Sequence, residues 1–111
     1  IAILNNEQRA LEFIDKIQDL EVFTTVINIF ELFLRTTNLD EIENFRDKLN
    51  VLNLTENSSR IASVTFKNLK KKGRIIDFND IFIAAICIEN NCKLATFNKK
   101  DFENINDLKL L

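Results

Sequence analysis

The sequence predicts an α/β fold, in which a mostly parallel central sheet is covered by helices. Short apolar runs alternate with longer stretches of helical periodicity, and each short run is apolar on both faces, as are strands buried inside a parallel sheet. The 111 residues leave room for one hydrophobic core, and no proline-rich or low-complexity linker interrupts them. We therefore expect a single domain over residues 1–111.

The first half of the chain is predicted to contain three helices and two strands. Residues 6–19 place apolar side chains at helical spacing between charges, and 21–26 is a β-branched and aromatic run typical of a strand. The largely apolar stretch 26–37 continues as a helix. A strand is predicted at 51–54, after an amphipathic helix over 39–50. The apolar stripe of that helix consists of Leu39, Ile42, Phe45 and Leu49.

The second half is predicted to contain two long helices and two strands. The helix over 55–73 opens with capping residues and closes on lysines and the single glycine, Gly73. Residues 78–90 are so apolar that we expect a buried helix, in which Ala84 and Ala85 allow close approach to the sheet. The remaining elements are strands at 93–97 and 108–111, separated by a helical turn at 100–105.

Composition excludes several classes of site. The chain has no histidine, which excludes histidine-based acid/base chemistry and zinc sites with histidine ligands. Cys87 and Cys92 fit neither a disulfide framework nor a metal knuckle, so we expect a buried, inert Cys87 and a reducing cytoplasmic location. The net charge of −2 means that any attraction for nucleic acid must be local or carried by metal ions.

Glu31 is a carboxylate inside an apolar helix. Helical spacing places Asn28, Glu31 and Arg35 on one narrow polar face. A Glu31–Arg35 ion pair would be a structural explanation, worth a few tenths of a kcal/mol. Because a carboxylate near a core is costly unless it meets a cation or hydrogen-bond donors, we also interpret Glu31 as a candidate ligand.

Two aspartates lie where the buried helix begins. Asp77 is predicted to be its N-cap, which places Asp80 at the third helical position. Both positions favour the helix dipole, which is a sufficient structural reason for an acid. We assign the capping role to Asp77 and a ligand role to Asp80.

A third polar group follows the predicted strand 93–97. In parallel sheets the functional groove lies beyond the carboxyl ends of the strands, which is where Thr96, Asn98 and Asp101 fall. The structural alternative is that Asn98 caps the turn and Asp101 is merely solvated. Acids from separate segments, without histidine or a nucleophilic cysteine, favour a Mg²⁺ or Mn²⁺ site that polarises a phosphodiester and activates water.

These residues resemble the PIN-domain family, and within it the VapC-like ribonuclease toxins of toxin–antitoxin pairs. The resemblance rests on Glu31 in TVINIFEL, Asp80 in DIFIAA, and the segment ATFNKKDF with Thr96, Asn98 and Asp101. It implies a PIN-like three-layer α/β/α sandwich and a divalent-metal-dependent endoribonuclease. It also implies catalytic and metal-ligand roles for Glu31, Asp80, Asn98 and Asp101, a homodimer, and a cognate antitoxin that covers the groove.

The sequence departs from the family pattern at two places. The family has an aspartate on its first strand, and this aspartate would precede IAIL at the start of the chain, so we expect the first strand to lie before Ile1. The family's fourth acid aligns with Asn98, an amide that can coordinate weakly or orient a water, with Asp101 close by in sequence to compensate.

Basic residues adjoin the proposed groove. Lys99 and Lys100 follow Asn98, and we expect them to contact RNA, together with Lys72 and Arg74 before Asp77. The alternative for the lysines that end the 55–73 helix is that they complement its dipole and stay solvated. Candidates for a dimer surface are the exposed members of the set Phe13, Phe23, Phe33 and Phe45.

Two other functions compete with the nuclease. A degenerate PIN fold that binds RNA or a protein without catalysis is favoured by Asn98 and by the missing first aspartate. A receiver-type phosphoacceptor domain requires a phosphorylatable aspartate after a central strand, and the segment VLNLT has none.

Overall fold

The computed structural model describes residues 22–111. The chain divides into two compact units, which meet in sequence between Leu52 and Asn53. The predicted helix over 6–19 lies outside the described residues. Within the described part of the chain, no helix is both long and apolar enough to cross a bilayer.

The first unit contains two parallel strands and two helices. They are, in chain order, β1 (Phe23–Thr25), α1 (Val26–Phe33), α2 (Leu39–Asp47) and β2 (Asn50–Leu52). β1 pairs with β2 in parallel, with Phe23 opposite Asn50 and Thr25 opposite Leu52. The predicted order of elements is confirmed. β1 ends at Thr25 because that residue becomes the N-cap of α1.

The apolar stripe predicted for α2 is only partly buried. Ile42 is 2% exposed and anchors the helix, whereas Leu39 is 47% exposed. Leu39 is the first residue of α2, and it follows Asn38, whose backbone is left-handed with φ of 59°. A left-handed residue redirects the chain just before the helix, so the prediction that Leu39 belongs to the buried stripe was wrong.

The second unit contains three helices and a second parallel pair of strands. Its elements are α3 (Glu56–Lys71), α4 (Phe78–Glu89), β3 (Lys93–Leu94), α5 (Lys99–Phe102) and β4 (Lys109–Leu110). β3 pairs with β4 in parallel, and the ladder closes with Leu111 N–H donating to the Leu94 carbonyl at 2.9 Å. The strand predicted at 93–97 is shorter than expected, because β4 offers only two residues for pairing.

α4 is the most deeply buried element of the second unit, as its composition predicts. Its buried residues are Ile81, Ile83, Ala84, Ala85, Ile86 and Cys87. Fully burying an isoleucine side chain contributes about 1.5–3 kcal/mol of hydrophobic stabilisation, so this helix dominates the energetics of the unit.

The two adjacent alanines of α4 contact different neighbours. Ala84 shares a core cluster with Leu69 and Phe102, against which Leu94 and Leu110 of the β3–β4 pair also pack. Ala85 shares a second cluster with Ala62 of α3. The prediction of a close helix–sheet approach therefore holds for Ala84, while Ala85 instead brings α4 close to α3.

Both long helices of the second unit end in a Schellman motif. At the end of α3, Arg74 N–H donates to the Leu69 carbonyl at 2.9 Å, and Gly73 carries the left-handed φ of 72°. At the end of α4, Cys92 N–H donates to the Cys87 carbonyl at 2.9 Å, and the left-handed residue is Asn91. Glycine adopts this conformation without cost and asparagine tolerates it, so each motif ends its helix sharply.

The start of α3 is tied to the end of α4. Thr55 caps α3 through a capping box with Ser58, in which the Thr55 hydroxyl accepts from Ser58 N–H at 3.0 Å. The same hydroxyl donates to Glu89 Oε2 at 2.6 Å, across 34 residues of sequence. This hydrogen bond joins the start of α3 to the end of α4, beyond the cluster that contains Ala62 and Ala85.

Enlarging Ala85 should destabilise the protein because its position has no room for a larger side chain. Ala85 is 0% exposed against α3, so we expect Ala85→Leu to lower the free energy of unfolding by about 1–3 kcal/mol. Urea denaturation measures the change. The matched control is Val64→Leu on exposed α3 surface, expected within roughly 0.5 kcal/mol of wild type. Equal stability of the two variants would contradict the packing described.

The buried Cys87 thiol should make stability depend on alkaline pH. Burial, with a smaller contribution from Cys92, raises the pKa of Cys87 from 9.0 to about 11. The folded state therefore retains this proton while the unfolded chain loses it, and the resulting stabilisation, present below pH 9, disappears as the pH rises to 11.

We expect wild-type protein to lose more stability between pH 8 and pH 11 than Cys87→Ala, by an amount on the order of 2 kcal/mol. Urea denaturation under a phosphine reductant measures it. Parallel pH profiles for the two proteins would refute the raised pKa.

Candidate metal centre

In the first unit, the candidate ligand Glu31 lies on α1, and the start of that helix is fixed by a capping box. The Thr25 hydroxyl accepts from Asn28 N–H at 3.1 Å and donates to Asn28 Oδ1 at 2.9 Å. Asn28 Oδ1 also accepts from Thr25 N–H at 3.3 Å. The predicted supporting role of Asn28 thus has a physical form: it fixes the helix one turn before Glu31. Sequence reasoning missed Thr25, although a threonine three residues before a polar side chain is a capping signal.

The structural explanation offered for Glu31 was wrong. Glu31 and Arg35 are both half-buried, yet no ion pair joins them. Within the described range, residues 22–111, the ion pair is Arg60–Glu56, at 3.6 Å. The Arg60–Glu56 pair has side chains 76% and 86% exposed, so it contributes little to stability. A half-buried carboxylate without its expected cation keeps Glu31 a ligand candidate.

In the second unit, Asp77 and Asp80 occupy the predicted positions at the start of α4. Asp77 is the N-cap residue, with extended backbone, but its side chain makes no capping hydrogen bond. The predicted N-cap position of Asp77 is therefore confirmed, although its exposed side chain adds no capping hydrogen bond. Asp80 is half-buried at the third helical position, one residue before the buried Ile81. The packing of Ile81 and Ala84 holds the backbone of Asp80 rigidly.

The segment after β3 forms its own hydrogen-bonded cluster. The Thr96 hydroxyl accepts from Asn98 N–H at 3.0 Å, which fixes the backbone where α5 begins. The Asn98 side-chain amide donates to Asp101 Oδ2. Asn98 is the N-cap residue of α5 but makes no side-chain capping bond, and Asp101 is half-buried. The alternative is therefore right about the position of Asn98 at the start of the turn, whereas Asp101 is half-buried and hydrogen-bonded to Asn98 rather than merely solvated.

The amide of Asn98 has two different uses in this arrangement. Its nitrogen holds the Asp101 carboxylate in one orientation, which leaves Oδ1 as the amide atom able to approach a cation. This division of roles matches the way outer hydrogen bonds fix ligating carboxylates in metal sites.

A shared core cluster brings α4 and α5 together inside the second unit. Ala84 of α4 and Phe102 of α5 belong to the same cluster of buried residues. Ala84 lies one helical turn after Asp80, and Phe102 directly follows Asp101. The acids at the starts of the two helices are therefore carried by elements that pack on one core.

The donor chemistry fits a hard divalent cation. Across residues 22–111, no three carboxylate or thiolate side chains lie close enough together to form a metal-binding group. Mg²⁺ does not require such a group, because it is usually held by one or two carboxylates and keeps several waters. The candidates Asp80, Asn98 and Asp101 present only carboxylate and amide oxygens as ligands, which suit Mg²⁺ or Mn²⁺.

The basic candidates are accessible to a large ligand. Lys99 and Lys100 form the first two residues of α5 and are exposed. Lys72 and Arg74 flank Gly73 after α3 and are exposed as well. The charge of α3's last turn complements the helix dipole, so that turn has a structural role in addition to any contact with RNA.

Comparison with known proteins gives the class of this fold. Residues 1–108 match the model of the PIN domain family, and the chain belongs to that family. Its α/β structure, with parallel strands and helices, is the PIN-like fold of VapC structures.

Within the family, the chain is a homologue of the VapC ribonuclease toxins of VapBC toxin–antitoxin systems. It is 42% identical over 72 residues to Ribonuclease VapC3 of Methanocaldococcus jannaschii, a match that covers 64% of this chain and 74% of that protein. It is 33% identical over 66 residues to Ribonuclease VapC1 of the same organism, covering 60% of this chain and 48% of VapC1. The chain thus spans about half the length of that second relative.

The fold agrees with a solved VapBC structure. VapBC-1 from nontypeable Haemophilus influenzae superposes with a TM-score of 0.85 at 26% identity, covering 99% of this chain and 89% of that one. The expected PIN-like fold is therefore confirmed, while the roles of individual site residues stay predictions.

Proposed function

We propose that this protein is a divalent-metal-dependent endoribonuclease and the toxin of a type II toxin–antitoxin pair. The observation that carries the proposal is Asp80, a half-buried acid at the third position of the most deeply buried helix of the second unit, in a PIN-domain chain. PIN nucleases generally use divalent metals. A rigid acid at a helix start is suited to bind a cation in one defined position.

The proposed ligands are Glu31, Asp80, Asn98 and Asp101. A bound Mg²⁺ or Mn²⁺ supplies the positive charge that polarises the scissile phosphodiester and lowers the pKa of water. The protein's own residues supply the geometry. The capping box of Thr25 and Asn28 fixes the helix that carries Glu31, and the Asn98 amide fixes the Asp101 carboxylate.

RNA is held by local positive charge in this proposal. The chain carries a net charge of −2, so its overall field does not attract a polyanion. Lys99 and Lys100 adjoin Asn98 and are the first contacts we propose, with Lys72 and Arg74 as further phosphate contacts.

The proposed partners follow from the homologues. Related structures are VapBC complexes, and we propose a cognate antitoxin for this protein as well. We further propose a cytoplasmic homodimer. Phe23 and Phe33 are exposed and are candidates for its surface, whereas Phe45 is half-buried.

A second candidate function is a PIN module that binds RNA or protein without catalysis. Two observations favour it: the fourth acid position is the amide Asn98, and no group of three acids was found among the residues described. Calorimetric titration of the natural full-length protein with Mn²⁺ discriminates between the two functions. Binding supports the nuclease, and absence of binding supports the non-catalytic module.

The nuclease proposal predicts that cleavage depends on individual acids. We expect Mg²⁺ or Mn²⁺ to switch on cleavage of a mixed pool of fluorescent single-stranded and hairpin RNAs, and a chelator to stop it. Asp80→Asn and Glu31→Gln should each lower the rate about 100-fold or more, because losing a direct ligand removes several kcal/mol of transition-state stabilisation.

The controls neutralise exposed acids in the same units. Asp107→Asn matches Asp80→Asn, since Asp107 is exposed and asparagine tolerates its left-handed φ of 68°. Glu43→Gln on the exposed surface of α2 matches Glu31→Gln. Both controls should cleave like wild type. Cleavage that continues in the presence of chelator would count against the proposed site, as would an equal loss of cleavage rate in the control variants.

The lysines next to Asn98 should contribute to RNA affinity through phosphate contacts. Lys99→Ala with Lys100→Ala should weaken binding of a single-stranded RNA and reduce the slope of log affinity against log salt by about 1.4, since each contact contributes about 0.7. Fluorescence anisotropy in chelator, where the RNA stays intact, measures both. Lys48→Ala at the exposed end of α2 is the control, and an unchanged slope in the double variant would exclude these contacts.

A further inference from the structure

The two cysteines occupy paired positions in the Schellman motif that ends α4. Asn90 is the C-cap, Asn91 is the left-handed residue, and Cys87 and Cys92 are the residues joined by the outer hydrogen bond of the motif. The inner bond runs from Asn91 N–H to the Ile88 carbonyl at 3.2 Å. In this motif the side chains at the two outer positions commonly contact each other. Here both of those side chains are thiols.

The outer hydrogen bond limits the distance between the two cysteines. Cys92 N–H donates to the Cys87 carbonyl at 2.9 Å. The path from one Cα through that carbonyl and the hydrogen bond to the other Cα can span at most about 6.8 Å, and less when it bends. Cysteines in disulfides have Cα atoms roughly 4.4–6.8 Å apart. The hydrogen bond therefore keeps the two Cα atoms within the separation that a disulfide requires.

The two thiols differ in access. Cys87 is 7% exposed, while Cys92 is half-buried and its Sγ donates to the Asn90 carbonyl at 3.5 Å. After burial, Cys92 is the second cause that raises the pKa of Cys87, which agrees with two thiols close enough to influence each other. An oxidant in solution therefore meets Cys92 first.

We propose that Cys87 and Cys92 form a reversible intramolecular disulfide when the protein meets a low-molecular-weight disulfide such as oxidised glutathione. The Cys92 thiolate attacks one sulfur of the oxidant and releases one small thiol. The Cys87 thiolate then attacks Cys92 Sγ and releases the second. Two protein thiols are oxidised, one small disulfide is reduced to two thiols, and the two protons lost by the cysteines end on the released thiols.

The motif at the end of α3 shows that this pairing is particular to α4. The same two positions there hold Leu69 and Arg74, an ordinary apolar residue and a long charged one. In a reducing compartment a disulfide between Cys87 and Cys92 is transient, which is the usual behaviour of cytosolic disulfides that respond to redox conditions.

The test compares folded and unfolded protein, because cysteines five residues apart can also pair in a disordered chain. The natural full-length protein is equilibrated with mixtures of reduced and oxidised glutathione, in buffer and in concentrated urea. Remaining thiols are alkylated, and peptide mass spectrometry quantifies the Cys87–Cys92 disulfide. We expect the oxidation constant to be at least tenfold larger in the folded protein, which corresponds to about 30 mV.

Two variants identify the order of steps. Cys87→Ala should accumulate a glutathione adduct on Cys92 that wild type does not retain, and Cys92→Ala should acquire neither an adduct nor a disulfide while folded. An oxidation constant equal or smaller in the folded state, or a lasting Cys92 adduct in wild type, would overturn the proposal. The comparison in buffer and urea uses wild type alone, so it holds even if a variant does not fold. Both results are independent of ribonuclease activity.

Discussion

The second unit depends on the contact between α3 and α4. Ala62 and Ala85 are both almost fully buried at this contact, and small side chains on both helices let the backbones approach closely. Ile81 fills the space beside them. Asp80 directly precedes Ile81, so the packing that stabilises the unit also sets the position of the carboxylate that we propose as a metal ligand. A loosely packed α4 would leave that acid mobile, and a mobile acid binds a cation weakly because ordering it costs entropy.

Much of the fold could be predicted from the sequence because its local signals agree with one another. Thr55, the lysines and Gly73 mark both ends of α3, and the apolar composition of α4 leaves no alternative to burial. Pairing was harder to predict. The strand after α4 has only Lys93 and Leu94 in its ladder, because the length of a strand depends on how many residues its partner strand can pair. The partner is distant in sequence, so the residues around Lys93 carry no signal of that length.

The candidate site was predicted in part, and the errors have one common cause. The positions of Asp77, Asp80 and Asn98 relative to their helices were correct, because helix starts have a strong sequence signature. Their hydrogen bonds were not predictable. The Asp77 side chain makes no cap, and the Asn98 amide binds Asp101 rather than the helix backbone. Each such choice depends on a side-chain rotamer, and the competing partners differ by about 1 kcal/mol or less.

The hydrogen bond from Thr55 to Glu89 has a consequence for how the second unit opens. The first turn of α3 and the last turn of α4 share that bond, and helix ends normally fray independently of each other. Here unwinding of either end also breaks the bond that the two ends share. The shared bond should therefore slow amide exchange at both termini, so that its loss speeds exchange near Ser58 and near Glu89 alike.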